Sequence, residues 1–576
     1  MRIGLARAAL ASTAMLAACH GSISTGGPGS TGSGSQTVGN GGSTGTGTTP
    51  NGPGTGTVSS LPPGSTMTTT PACKSAPLAT GNAYLRRLTR WEYVNSVADV
   101  LKIAAPTGLP DLLPPDIRAN GFSNDFGGQL VSLDHVTAYS DAADAVGAAL
   151  AASPAWLAPF ATCNATTPAC RDQIVGALGL RLFRRPATAA EITTFGGLFD
   201  AAVANGQATA PAAASVVVRG MLQTPQFLYR IESQQAVAGA PARALDNYEI
   251  ASRLSYFLWS SAPDDTLLAA AKAGDLTSPD KLRAQVTRML GGAHARDVIQ
   301  RYFREWLSLD DLDEAARGAA FTPQLAAAMK QETLDDVGAD LWDAKHPLMT
   351  MFTSQSTIVQ PVLAAHYGFP APGPDGRVST ASQPNRTGIL THAGVLTVNG
   401  DADASIILRG LYVFRKVFCQ DVPPPPAGAA STMLAPVTAS ERQKSDARLA
   451  NQTCAACHGQ FDPLAYAFEP FNNVGQAWTK DTNGNAVKSD GWITGATKVP
   501  YTGVGDYMAA LVQDPRVSDC MTSHIAEFAY GRAMVDDDMC MLQDISGRLG
   551  ATGTRTFADV VTAIASSPYF LYTAVQ

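Results

Sequence analysis

Five consecutive residues, Cys454-Ala455-Ala456-Cys457-His458, constrain this 576-residue chain more than any other string in it. C-x-x-C-H is the attachment signature of c-type haem. Two thiols at this spacing add to the two vinyl groups of the macrocycle, and the adjoining imidazole becomes the proximal iron ligand. The expectation is one covalent haem c on Cys454 and Cys457, with His458 as the proximal ligand. A zinc half-site would want a second ligand pair, and a redox pair would want a βαβ context. Neither is visible here, where the flanks read as helix or loop; a plain disulfide is the remaining alternative. Met508, 50 residues after His458 (508 minus 458), is the first candidate for the sixth iron position, with Met433, His392 and His524 behind it. Met or His there favours electron transfer, whereas an open position permits peroxide or oxygen chemistry.

The N-terminus sets the compartment. Met1 to Arg7 is basic, an apolar run follows, and Leu16-Ala17-Ala18-Cys19 reads as a lipoprotein cleavage site with acylation of Cys19. The run is shorter than the ~20 residues that span a bilayer. His20 rather than Asp after the cysteine directs the expectation to the outer membrane, facing periplasm or cell surface. From 20 to about 70 the chain is Gly, Ser, Thr and Pro, a composition that cannot bury enough apolar surface to order itself. Part of the low charged fraction, 15% against ~25% in an average domain, comes from this tether.

Nine cysteines are an odd number. Cys19 goes to lipid and Cys454 and Cys457 to haem, leaving six. Cys163 with Cys170 and Cys520 with Cys540 are plausible bridges, and by elimination Cys73 pairs with Cys419. An oxidising address lets such bridges persist.

The body from about residue 80 reads as helical. Thr89 to Glu92 is a capping box, and Asp246 to Glu249 opens a second apolar run. Val298, Ile299, Tyr302, Phe303, Trp306 and Leu307 form an apolar stripe expected in the core. The acids after it (Asp310, Asp311, Asp313, Glu314) are expected to be a solvated helix end. Asn483-Gly484 within Trp478 to Val487 predicts a β-hairpin. Asp481, Asn483 and Asn485 match half of a calcium loop, but Ala486 and Trp492 stand where Gly and Glu are required. Pro423 to Pro426 is a stiff spacer, and Thr224 to Tyr229 is echoed by Ser567 to Tyr572.

Several strings together resemble a family of multi-module, cytochrome-like secreted proteins, those of domains of unknown function 1587, 1595, 1592, 1588 and 1585. They are Leu85 to Tyr93, Arg181 to Pro186, Tyr248 to Trp259, Asn385 to Thr391 with Leu408 to Gly410 and Cys419 to Pro426, Cys454 to Gly475, and Phe528 to Arg532. The resemblance implies a mainly α, multi-module helical body bearing haem c, and no general substrate. Asp462-Pro463-Leu464-Ala465 and Glu469-Pro470-Phe471-Asn472 depart from the family's Asp-Pro-Leu-Gly and Glu-Asn-Phe-Asp. The expected organisation is a signal peptide (1–18), a lipid-anchored linker (19–75), and helical modules over 84–150, 163–240, 245–375, 384–485 (with the C-x-x-C-H motif and a small hairpin) and 500–576.

The net charge of −7, with no basic stripe, argues against a nucleic-acid partner. The body carries no Gly-x-Ser-x-Gly elbow, His-Glu-x-x-His or Walker loop, so common hydrolase and nucleotide chemistries lack support. The leading expectation is a membrane-anchored mono-haem cytochrome passing electrons to a redox partner protein, alone or within a larger oxidoreductase. The alternatives are a haem enzyme with an open distal site and a surface binding lipoprotein without a redox role.

Overall fold

Capping chemistry places the helices where the sequence expects them. The Thr89 hydroxyl accepts from Glu92 N, and Glu92 returns the bond to Thr89 N, starting helix Arg90–Leu101. Asp246 and Glu249 start helix Asn247–Trp259 in the same way. The apolar stripe lies on helix Ala293–Trp306, with Tyr302, Phe303 and Trp306 fully buried. The computed structural model describes Cys73 and residues 84–574, apart from 164, 233–241, 384, 402–403 and 425–433. The signal peptide, Cys19, nearly all of the linker, Met433, and Pro425 and Pro426 of the spacer lie outside the described residues. Among those described, no helix is long and apolar enough to cross a membrane.

Among the described residues helices dominate, accompanied by four two-stranded antiparallel pairings. Two of these clasp the start of a long segment to its end. Arg86–Arg87 pairs with Tyr229–Arg230, and Ala242–Ala244 pairs with Tyr572–Ala574. The two echoed strings are the turns leading into the closing strands, each a short helical turn followed by a strand from its tyrosine. Each turn is gripped by a buried arginine. Arg184 donates to the carbonyls of Gln226, Phe227 and Tyr229, and Arg253 to those of Phe570 and Tyr572.

One apolar core fills the segment from Leu88 to Leu228, and Tyr256 and Ala262 of the next segment reach into it. The largest core draws on Phe122 and on residues from Leu245 to Phe570. A smaller one surrounds Met329, Leu363 and Tyr367. Beside this last core, Glu332 is buried, accepting from Tyr367 OH at 2.6 Å and Thr357 Oγ1 at 2.9 Å.

The expected hairpin around Asn483-Gly484 is a tight turn closed by a single bridge between Lys480 and Ala486. A regular two-stranded hairpin follows it, Asp490–Ile493 with Val499–Thr502. The acids after the aromatic helix are not free. Asp310 pairs with Arg304 and Lys330, Asp311 with Arg118, and Asp313 with Lys330.

Cys163 and Cys170 are joined. The other expected pairings are corrected: the disulfides are Cys73–Cys540 and Cys419–Cys520, not Cys73–Cys419 and Cys520–Cys540. The reason is helix length. Cys520 lies ten residues before the end of helix Pro515–Tyr530, about 15 Å along its axis, whereas Cys540 opens the following helix Met539–Arg548. Cys520 instead faces the residues just beyond helix Ile406–Lys416, where Cys419 sits.

Two predictions follow from buried charge. Arg253→Met strips the donors from two carbonyls and removes the closest cation from half-buried Glu232, which it contacts at 2.6 Å. It should lower stability by about 3–5 kcal/mol, read as a fall in the urea midpoint. Glu332 is pushed up to about 7, by burial first, against the opposing bond from Tyr367. A raised carboxyl stabilises the fold fully below its ordinary value near 4.5 and loses that contribution as pH rises through about 7. Glu332→Gln should therefore flatten the loss of stability between those values in denaturant titrations. Asp336, which burial likewise pushes up to about 7, contributes to the slope left, along with Asp116, Asp125 and Glu469, whose carboxyls burial also raises.

Candidate functional site

Asn451 starts the helix that carries the cysteine motif. Its Oδ1 accepts from Thr453 N and Cys454 N at 3.0 and 3.2 Å, and helix Gln452–Ala465 runs from there. Cys454, Cys457, His458 and Phe461 stand at i, i+3, i+4 and i+7, which puts them on one face. Helix Ile406–Lys416 presses closely on this helix: a Cβ on Gly410 would stand 2.4 Å from the Phe461 carbonyl oxygen. Both thiols are free and half-buried, while the other six described cysteines are oxidised in pairs. Cys457 packs against the main core, and the His458 ring lies 4.9 Å from that of Phe461.

His458 is held from behind. Its Nδ1 donates to Asp462 Oδ1 at 3.0 Å, one helical turn on, and Asp462 is completely buried. The other oxygen, Oδ2, accepts from Ser445 Oγ at 2.7 Å and Arg448 Nε at 3.0 Å, both on the preceding helix Glu441–Ala450. Ser445 gives its hydrogen to Asp462, so the Tyr466 hydroxyl 2.8 Å away donates to Ser445. Burial pushes Tyr466 up to about 12, which keeps that hydrogen in place. The Arg442 guanidinium lies 3.6 Å over the Tyr466 ring and pairs with Glu469 at 2.5 Å. Burial raises the Glu469 carboxyl, and Arg442 opposes the rise.

With Nδ1 committed, Nε2 is the His458 nitrogen available to iron. A ligating imidazole that donates its other N–H to a carboxylate is the usual arrangement at metal centres, fixing tautomer and ring orientation. Two free thiols and an imidazole so held on one helix face are a donor set that fits haem c.

The described candidates for the sixth position, His524, His392 and Met508, each sit in surroundings of their own. His524 Nε2 lies 3.4 Å from Cys419 Sγ, and its Nδ1 is 2.7 Å from Glu527. His392 Nδ1 meets Thr333 Oγ1 at 3.0 Å while its Nε2 faces Asp336 at 3.7 Å, and burial lowers it to about 4. Met508 is fully buried with Tyr507 and Leu511 in the main core, on helix Val504–Gln513. Among the described residues no hydrogen bond, ion pair or ring contact joins any of these three to His458.

Asp481 is saturated by amides, accepting from Asn483 N, Asn485 N and Asn485 Nδ2. That is a turn held by its own side chain, with no oxygens converging on a cation. A cleft of about 30 Å³ beside Glu441, Glu469 and Trp478 has room for a water molecule and not for a substrate.

Sequence reasoning met Asp462 as part of a motif without seeing its role. The signal was available, since a carboxylate four residues after a histidine faces it on a helix. Ser445 and Arg448 lie on a separate helix, and only the packing of the two helices reveals them.

Five models of protein families of unknown function match the chain in succession: DUF1587 over 86–152, DUF1595 over 170–232, DUF1592 over 245–369, DUF1588 over 386–481 and DUF1585 over 498–570. The DUF1588 family, whose match contains the cysteine helix, carries the name PSCyt3, which points to a cytochrome-like module. No curated protein and no solved structure matches the chain. The chain thus belongs to the multi-module proteins built from these five families, with its free thiols and carboxylate-held histidine inside the cytochrome-like one.

Proposed function

We propose that the protein is an extracytoplasmic, membrane-anchored c-type cytochrome that carries one haem and passes electrons to a redox partner. The observation that carries this reading is the pair of free thiols, Cys454 and Cys457, on one helix face with His458, whose Nδ1 is committed to Asp462. Cys454 and Cys457 would form the thioethers and His458 Nε2 would bind the iron. Haem c so held would supply a one-electron couple. The protein's own contribution is orientation: Asn451 fixes the start of the helix, and Asp462 fixes the ring of His458. Anchorage belongs to the proposal through the lipobox at Cys19, with the body held to the cell envelope, at the outer membrane, by the Gly/Ser/Thr tether.

A second reading, a haem enzyme with an open distal position, is favoured by one observation. His524 has both ring nitrogens engaged, His392 is buried with Nδ1 on Thr333, and Met508 is sealed in the core.

Full-length protein expressed with a haem-attachment system should keep its haem through acidic acetone extraction, and Cys454→Ser/Cys457→Ser should release it. Haem that washes out of the wild-type chain defeats the covalent assignment. Carbon monoxide separates the two readings: an unchanged reduced Soret band supports a six-coordinate carrier, and a shifted band supports the open site.

A further inference from the structure

We propose that Asp462 is the positioning residue of the haem site and that it also sets the iron's reduction potential, with Arg448 as its counterweight. The inference rests on the reading that haem c is attached at Cys454 and Cys457 with His458 on the iron. A single carboxylate, with no exposed surface, is shared between two groups of opposite effect. Oδ1 faces His458 Nδ1 at 3.0 Å, and Oδ2 faces the Arg448 guanidinium, with Nη2 2.8 Å away. Ser445 adds a neutral donor at 2.7 Å on the Arg448 side.

A carboxylate accepting Nδ1–H draws the proton toward itself and makes the imidazole a stronger electron donor at Nε2. Oxidised haem iron carries one more positive charge than reduced iron. A buried negative charge behind the ligand therefore favours the oxidised form, undiluted by water. Arg448 pulls the same carboxylate the other way, so the charge felt by His458 is what Arg448 leaves. Arg442 does not share the task, because its own partner is Glu469 at 2.5 Å. Tyr466 contributes a neutral hydroxyl to Ser445 and no charge.

The two halves of the pair make opposite predictions, which a purely structural role would not. Asp462→Asn keeps an acceptor for Nδ1–H and removes the charge, so the midpoint potential should rise. Arg448→Gln leaves the carboxylate uncompensated, so the potential should fall. A tenfold change in the reduction equilibrium is expected in each, which is 59 mV for one electron. Asp462→Glu, which keeps the charge, should stay nearer to wild type than Asp462→Asn does.

Potentiometric titration of the haem-loaded, full-length variants reads these shifts directly. Shifts of the same sign in Asp462→Asn and Arg448→Gln, or none in either, overturn the proposal. If the Asn variant does not accumulate, Arg448→Gln decides alone: a fall supports the assignment, and a rise or no change sinks it. A wild-type chain without covalent haem overturns the underlying reading and this proposal with it. Haem attached normally but potentials unmoved leaves the reading standing and removes only the role of Asp462.

Discussion

Buried arginine side chains that bond to main-chain carbonyls hold this fold together. Arg86 reaches the carbonyl of Tyr530; Arg184 those of Gln226, Phe227 and Tyr229; Arg253 those of Phe570 and Tyr572. Arg386 reaches those of Thr391 and Gly475, and Arg409 those of Phe468, Phe471 and Asn472. A chain of many short helices buries many helix ends, whose last carbonyls have no partner within the helix. Each one left bare would cost about 1–3 kcal/mol. A planar guanidinium with five donors can satisfy several at once, which a lysine cannot do with the same geometry. The cost shows at Arg409, where burial lowers the guanidinium to about 10, and at Arg86, also lowered first by burial. The candidate haem site depends on the same device. Arg409, from the helix that presses on the cysteine helix, fixes the turn that follows it, and Arg386 fixes the chain at Gly475 just beyond.

The clasps at 229 and 572 show how far a sequence echo can be trusted. Both turns have the same local shape, lead into an edge strand, and present equivalent carbonyls to an arginine. Their arginines come from different places. Arg184 follows the end of helix Pro168–Leu182 in a left-handed backbone conformation, whereas Arg253 sits mid-helix in Asn247–Trp259. A duplicated unit would be expected to keep the donor where it was. The shared turn chemistry with unshared donors fits convergence on one way of ending a segment.

Local features of the fold were readable from the sequence because they rest on contacts a few residues apart. Thr89 with Glu92, Asp246 with Glu249 and the aromatic stripe at 298–307 all depend on helical spacing. Cys454, Cys457 and His458 were readable for the same reason, since the motif and the helix face coincide. Cys163 and Cys170, seven residues apart, were readable too, but the partners of the other two disulfides were not. Cysteine parity counts bridges without placing them, and Cys419 meets Cys520 across 101 residues because two helices pack, not because of any local signal. Arg448 and Ser445 were hidden likewise: nothing in Glu441 to Ala450 marks it as the wall behind His458. Asp310, Asp311 and Asp313 stay open to solvent as expected, but their cations, Arg118, Arg304 and Lys330, were hidden in the same way.

The packing also decides what the cytochrome-like segment can be on its own. Its cysteine helix lies against Ile406–Lys416, and the main core draws Leu254, Phe257 and Trp306 from the third family match, Phe414, Phe461 and Phe468 from the fourth, and Tyr507, Ile525 and Phe570 from the fifth. Phe122 enters the same core from the first. Family boundaries therefore follow the order of the chain, while the apolar core runs across them. The Cys419–Cys520 bridge ties the fourth match to the fifth covalently. A segment cut at 386–481 would lose that bridge and the packing of Tyr507 on Phe468. The side chains that hold His458 (Asp462, Ser445 and Arg448) all lie within the fourth match, while the core that Cys457 packs against crosses the family boundaries.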